Sequence, residues 1–329
     1  MSELQPVHNG ETSPLPVSPQ PLHQQQWYWL QATAQNTRRS YQSAIRQYEK
    51  QGGKLPAIEQ DILYYLSQNA KRLNPRSLNL HLTALSHWHS YQQLPDPTQG
   101  IRVRKLLVGI HRTHGRPQKK AAALLPEHIR QISQSLENQS TGSTLTSPLT
   151  EIRNKALILT AYLGALRRSE LAQLKFEDLE FQGEGLILNI RRSKTDQQGQ
   201  GIVKAIVRNH NSLCAVTALE TWLKAGKINS GYVFRSINRW GQIKPNALSM
   251  DGINLLIKSI SKKAKIPFSD RISSHSLRRG FATSAARAGA DFSEIKRQGG
   301  WRNDQTVHGY IEEAGLFDKN PTKNLLDTK

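Results

Sequence analysis

The chain has 329 residues, enough for two domains with separate cores, and a formal charge of +20 at pH 7 with a pI near 10.2. Such a field favours a polyanionic partner, nucleic acid ahead of an acidic membrane, and no apolar run approaches the ~20 residues of a membrane span. A single cysteine, Cys214, excludes a disulfide framework and any multi-cysteine zinc site. With no signal-peptide core after Met1, the compartment expected is the cytoplasm.

Residues 1–25 are rich in Pro, Gln and Ser and read as a disordered tail. From Thr37 the apolar period becomes helical. Tyr41, Ile45 and Tyr48 share a face until Gly52; Ile58, Ile62 and Leu66 repeat the spacing. A third helix begins at Pro75, where proline suits a first turn, and carries Leu78, Leu82 and Leu85; Val103, Leu107 and Ile110 mark a fourth. Residues 26–114 are therefore expected to form a helical bundle. Between Gln26 and Lys120, 15 Lys and Arg stand against 4 Asp and Glu, so this end of the chain carries a dense basic surface. The segment 115–121, with Gly115, Pro117, Lys119 and Lys120, reads as a basic linker able to lie along phosphate.

The pattern is mixed over 122–313. Helices are expected near 126–137, 149–163, 213–225, 247–264, 275–288 and 303–311. The runs Leu186-Ile-Leu-Asn-Ile190 and Ile202-Val-Lys-Ala-Ile-Val207 alternate like two strands around a Gly/Gln-rich turn. The fold class is mainly α with one small antiparallel sheet (α+β): an N-terminal helical bundle, then a larger mixed domain. The Ser/Thr-rich stretch 138–148 reads as a surface loop. Residues 314–329 form a tail whose apolar pairs, Leu316-Phe317 and Leu325-Leu326, suit it either to dock on a neighbouring subunit or to stand exposed without a partner.

The residues with chemistry cluster late. Within 36 residues come His275-Ser-Leu-Arg278, Gly299-Gly-Trp301 and Tyr310; upstream lie Arg167-Arg-Ser-Glu170 and, on the predicted hairpin, Arg191-Arg-Ser-Lys194. A phenol with a pKa near 10 is a poor nucleophile until cations stabilise its anion. Paired guanidiniums bind two non-bridging phosphate oxygens at once and gain strength as a phosphorane-like transition state builds charge there. Arg168 and Arg279 are the adjacent alternatives to Arg167 and Arg278; spacing favours the latter pair. Glu170 is placed to hold a guanidinium or His275, and His275 to donate to a phosphoryl oxygen or move a proton. Lys194 at a turn tip is suited to protonate a leaving alkoxide. Trp301 fits an indole donor to phosphate and a core aromatic equally well.

With these motifs in this order, the chain resembles the tyrosine recombinase (phage integrase) family, in the manner of Cre-like two-domain members, since tryptophan rather than histidine fills the third box. The resemblance implies a site-specific recombinase in which Tyr310 forms a 3′-phosphotyrosyl link. Arg167, Arg278, His275 and Trp301 would bind the phosphoryl oxygens, Lys194 would protonate the leaving oxygen, and Glu170 would support the cluster. It further implies a homotetramer on paired inverted-repeat sites in double-stranded DNA, strand exchange through a Holliday junction, nucleoid association, and no metal, cofactor or ATP. Two helices of the first domain would meet the DNA, with Arg38, Arg39 and Arg46 on one and Arg76 and His81 on the other. A type IB topoisomerase, or a DNA-binding protein with an inactive centre, are the competing readings; the first would need no paired sites, and the second is opposed by a competent residue at every motif position.

Overall fold

The computed structural model describes residues 32–117, 119–142, 148–191, 201–314 and 322, and the chain divides into two compact units between Gln118 and Lys119. In the first unit lie α1 (Gln35–Lys50), α2 (Glu59–Asn69), α3 (Pro75–Tyr91) and α4 (Ile101–His114). Local chemistry sets their ends. Gly52, at φ +85°, turns the chain after α1, and the Asn74 side chain accepts from Arg76 N to start α3. The apolar stripes converge on Tyr48, Ile62, Leu66, Leu78, Leu82, Leu85, Val103 and Ile110.

Two residues depart from expectation here. Ile58 is 64 % exposed, because it precedes α2 rather than lying within its periodic stripe. His81 is not a surface residue for DNA: it is 6 % exposed, and its Nδ1 pairs with the Tyr65 hydroxyl at 2.6 Å. Position 81 falls on the same stripe as Leu78, Leu82 and Leu85, so the helical period turns it inward. Burial lowers its pKa.

The second unit contains α5 (Pro126–Gly142), α6 (Pro148–Leu163), α7 (Arg168–Gln173), β1 (Leu179–Phe181), β2 (Gly185–Ile190), β3 (Ile202–Val207) and α8 (Ala215–Ala225). These are followed by β4 (Arg235–Ile237), β5 (Ile243–Ala247), α9 (Met250–Lys263), α10 (Ser274–Arg287), α11 (Phe292–Gly299) and α12 (Asp304–Ala314). Helix α6 is buried along most of its length and packs against α5, α8 and α10. The antiparallel sheet β1-β2-β3 lays Leu186, Leu188, Ile190 and Ile206 on that core, with Leu188 opposite Lys204.

Instead of one sheet there are two among the described residues, since β4 and β5 pair separately. The three residues of β1 and the six and eight of α7 and α11 are too few for a periodic signal to stand out. The stretch 138–148 is not all loop: α5 runs on to Gly142, α6 begins at Pro148, and 143–147 lie outside the described residues. Among the described residues, no helix is long and apolar enough to cross a membrane.

Candidate active site

The site grows from the turn that ends α6. Gly164 N donates to Thr160 O, and Ala165, at φ +44°, reverses the chain so that Leu166 N reaches back to Ala161 O at 3.0 Å. Arg167 then stands at the start of α7. Glu170 caps that helix by accepting from Arg167 N at 2.9 Å, and its other oxygen holds the Arg167 guanidinium at 2.6 Å. Arg167 Nη2 donates to the Gly300 carbonyl at 3.0 Å. Both forks of this guanidinium are fixed, and the Glu170 side chain is wholly buried.

Ser273 opens α10 by accepting from His275 N, and Arg278 follows one turn into the helix. Arg278 is 3 % exposed. Its Nη1 donates to the Ala165 carbonyl, and its guanidinium carbon lies 4.0 Å from the centre of the Trp301 ring. Nη2 of Arg278 is buried and has no acceptor among the described residues. A buried guanidinium donor is costly to leave without an acceptor, and an anion's oxygen is one acceptor that suits it. Burial and the nearby charge of Arg167 bring the Arg278 pKa down to about 9, while Glu170 and Tyr310 pull it upward.

The Gly299-Gly-Trp301 motif has a steric reason. A Cβ on Gly299 would stand 1.7 Å from Cζ3 of Trp301, so the indole lies in the space a side chain would fill. Gly300, at φ +62°, closes α11 in the left-handed conformation and turns its carbonyl toward Arg167. An ion pair of 2.5 Å between Lys296 and Asp304 joins α11 to α12. Tyr310, half-buried on α12, packs near Val307 and Ile311, its ring centre 5.8 Å from that of Trp301.

The structure thus brings Arg167, Glu170, Arg278, Trp301 and Tyr310 together, and it separates the arginine alternatives. Arg168 forms an exposed pair with Asp251 at 3.2 Å. Arg279 points away to the Ala121 carbonyl at 2.6 Å, where the backbone of Leu124 crosses α10 so closely that a Cβ on Gly280 would fall 1.8 Å from its oxygen. His275 is exposed on the first turn of α10. Lys194 falls in 192–200, outside the described residues, as does nearly all of the tail 314–329.

A residue the sequence reading passed over sits beneath the site. Lys204 on β3 is wholly buried, donates to the Gly164 and Ala165 carbonyls at 3.0 and 3.3 Å, and lies 3.6 Å from Glu170. The signal was its register: strand alternation puts position 204 inward with Ile202 and Ile206. Burial pushes the Glu170 carboxyl up, but Lys204 and the hydrogen bonds from Arg167 outweigh it and hold the group below the ordinary range. In the first unit, Arg39, Arg46 and Arg76 are exposed and Arg38 is half-buried. Arg38 and Arg46 border a groove of about 450 Å³ beside Tyr41, His87, Trp88 and Tyr91. Lys119 and Lys120 are exposed.

Residues 123–315 match the phage integrase family. The chain is 32 % identical over 277 residues to the integrase/recombinase xerD homolog of Selenomonas ruminantium, covering 83 % of this chain and 79 % of that protein. It is 28 % identical over 273 residues to recombinase cre of Escherichia phage P1, covering 78 % and 76 %. In fold it is similar to a lambda integrase dimer bound to a COC′ core site, at TM-score 0.59 and 15 % identity, over 89 % of this chain and 78 % of that one. It is also similar to the XerH recombinase bound to a palindromic difH substrate, at TM-score 0.57 and 18 % identity, over 82 % and 71 %.

Proposed function

Since this chain belongs to the phage integrase family and is a tyrosine-type site-specific recombinase, we propose that it cuts and rejoins duplex DNA at the cluster of Arg278, Trp301 and Tyr310. One observation carries the reading: the buried Nη2 of Arg278, with no acceptor among the described residues, on a guanidinium that interacts electrostatically with the Tyr310 phenol. A non-bridging phosphate oxygen supplies the missing acceptor.

The steps follow from the groups present. The Tyr310 oxygen bonds to phosphorus, and the bond from phosphorus to the 5′ oxygen breaks. The product is a 3′-phosphotyrosyl link, formed as the phenol gives up its proton to solvent, and a 5′-hydroxyl that takes its proton from Lys194. Arg278 attracts the phenolate and, with Arg167, the charge that grows on the phosphoryl oxygens. His275 and Trp301 donate to those oxygens. Attack by a 5′-hydroxyl of a second strand reverses the chemistry, so exchange proceeds through a Holliday junction without net loss of a phosphodiester. Double-stranded DNA with paired inverted repeats and a homotetramer are the partners that this scheme requires. Arg38, Arg39, Arg46, Arg76, Lys119 and Lys120 serve as its outlying DNA contacts, chiefly to phosphate.

The test is covalent trapping. The protein is incubated with duplexes of randomised sequence, quenched in detergent, and the DNA that remains attached is recovered and sequenced. We expect one inverted repeat to emerge. Tyr310→Phe should bind that duplex and give no adduct; an undiminished adduct would remove Tyr310 from its role.

A further inference from the structure

A lysine occupies a strand position that the fold reserves for aliphatic side chains. Lys204 points inward between Ile202 and Ile206, and its side chain has no exposed surface. Burying an ammonium costs several kcal/mol unless it is paired and hydrogen-bonded. Two of the three groups that this ammonium meets also hold an active-site arginine. The Ala165 carbonyl, 3.3 Å from Lys204 Nζ, is the same oxygen that accepts from Arg278 Nη1. The Glu170 carboxylate, 3.6 Å from Nζ, is the one that holds Arg167. The Gly164 carbonyl at 3.0 Å belongs to the turn that delivers both.

We propose that Lys204 is a positioning residue for the recombination reaction, clamping the Gly164–Ala165 turn and the Glu170 carboxylate from behind so that Arg167 and Arg278 meet the scissile phosphate at a fixed angle. The inference rests on the function proposed above. Lys204 does not touch DNA, because its Nζ is enclosed by protein, and it does not replace Lys194 as the proton donor.

The charged groups acting on this ammonium are Glu170 on α7, Arg278 on α10 and Arg167 at the start of α7; α11 offers the neutral Gln298 amide, which donates to the neighbouring Ala205 carbonyl. Burial brings the Lys204 pKa down to about 7, with Glu170 pulling upward and the two arginines downward. The lysine is therefore charged below neutrality and neutral above it. As a neutral amine it still donates to the carbonyls but no longer offsets Glu170. That carboxylate then weakens the hold of both guanidiniums on phosphate. The contribution of Lys204 to cutting is full in acid and fades as pH rises through its pKa.

The experiment uses the whole protein and the duplex that wild type selects from the randomised pool, with adduct formation followed in single turnover at saturating DNA. Lys204→Met should slow the adduct by roughly 100-fold, as expected for a displaced catalytic group, while DNA affinity stays within about twofold. The ratio of wild-type to Lys204→Met rates should shrink between about pH 6 and about pH 8, which cancels ionisations common to both proteins. Lys204→Gln, which keeps donors to the carbonyls without the charge, should recover part of the rate and lose the pH dependence of the ratio. Carbon NMR of labelled lysines should show one side chain titrating near neutrality in wild type and none in Lys204→Met. A Lys204→Met protein that cuts at the wild-type rate, equal slowing by Met and Gln with a ratio flat in pH, or no lysine titrating near neutrality would each overturn the proposal. Absence of any adduct with wild type would instead sink the function on which it rests.

Discussion

Replacing Gly299 with alanine would put a methyl carbon 1.7 Å from Cζ3 and 1.9 Å from Cε3 of Trp301. Helix propensity alone favours the change, because Gly299 closes α11 and alanine there gains up to about 1 kcal/mol. The clash opposes it. Restoring an ordinary carbon–carbon contact of about 3.5 to 4 Å requires the indole to move by about 2 Å. The ring is hemmed in, with Arg278 4.0 Å from its centre and the Tyr310 ring 5.8 Å away. Overpacking of this kind costs about 1 to 3 kcal/mol, and a desolvated cation–π contact adds up to about 2 kcal/mol if it is lost. The clash wins. We expect Gly299→Ala to be destabilised by about 1 to 3 kcal/mol, which lowers Tm by about 2 to 4 °C per kcal/mol for a unit of this size. Displacing Trp301 and Arg278 by an ångström or more should slow adduct formation by roughly 100-fold. Thermal denaturation and single-turnover cutting on the selected duplex measure the two effects. A variant more stable than wild type that cuts at full rate would show that the indole is not wedged against Arg278, and the steric account of the Gly-Gly-Trp motif would fail.

The neighbouring arginines offer a sharper contrast than any single variant. Arg167→Ala should cut roughly 100- to 1000-fold more slowly, whereas Arg168→Ala, losing only an exposed pair with Asp251, should change stability by less than about 1 kcal/mol and leave cutting unaltered; equal losses would refute the assignment. His81→Leu should cost about 1 to 3 kcal/mol in a urea titration by stranding the Tyr65 hydroxyl, with DNA affinity preserved in the folded protein. Its lowered pKa adds a sign: the unfolded chain takes up a proton more readily, so wild type loses stability through this group as pH falls below about 6.5 and His81→Leu does not. Normal stability with weakened DNA binding would return His81 to the surface.

What the sequence made legible were long periods and isolated chemistry. Among the described residues, the four helices of the first unit, and α5, α6, α8, α9, α10 and α12 of the second, announce themselves because each buries a stripe over several turns. The Arg167–Glu170 pairing is legible for the same reason, since three residues make one turn. Hidden were features set by distant partners. Nothing near position 204 says that its ammonium meets carbonyls forty residues upstream, although a charge at an inward strand position was a warning. Only the crossing of Leu124 over α10 explains Gly280. His81 misled because a histidine on a basic helix suggests DNA, while its place in the heptad-like stripe, the stronger signal, put it against Tyr65.

The network also accounts for a division of labour between the charges of this protein. A formal charge of +20 raises affinity for any duplex and speeds encounter, and that attraction weakens with salt because it depends on released counterions. It cannot choose one phosphate among many. The buried group can. Arg167 has both forks committed, to Glu170 and to Gly300, and Arg278 has one committed to Ala165. Nη2 of Arg278 is buried with no acceptor among the described residues, and its direction is set by the fold. Orienting that donor costs nothing at the moment of reaction, and its strength is not diluted by water. In the proposed reaction, the duplex is docked so that one phosphate oxygen meets this donor while the phosphorus stands in line with Tyr310. In the proposed scheme, surface charge governs how often DNA is held, and the buried arginine governs which held phosphate is cut.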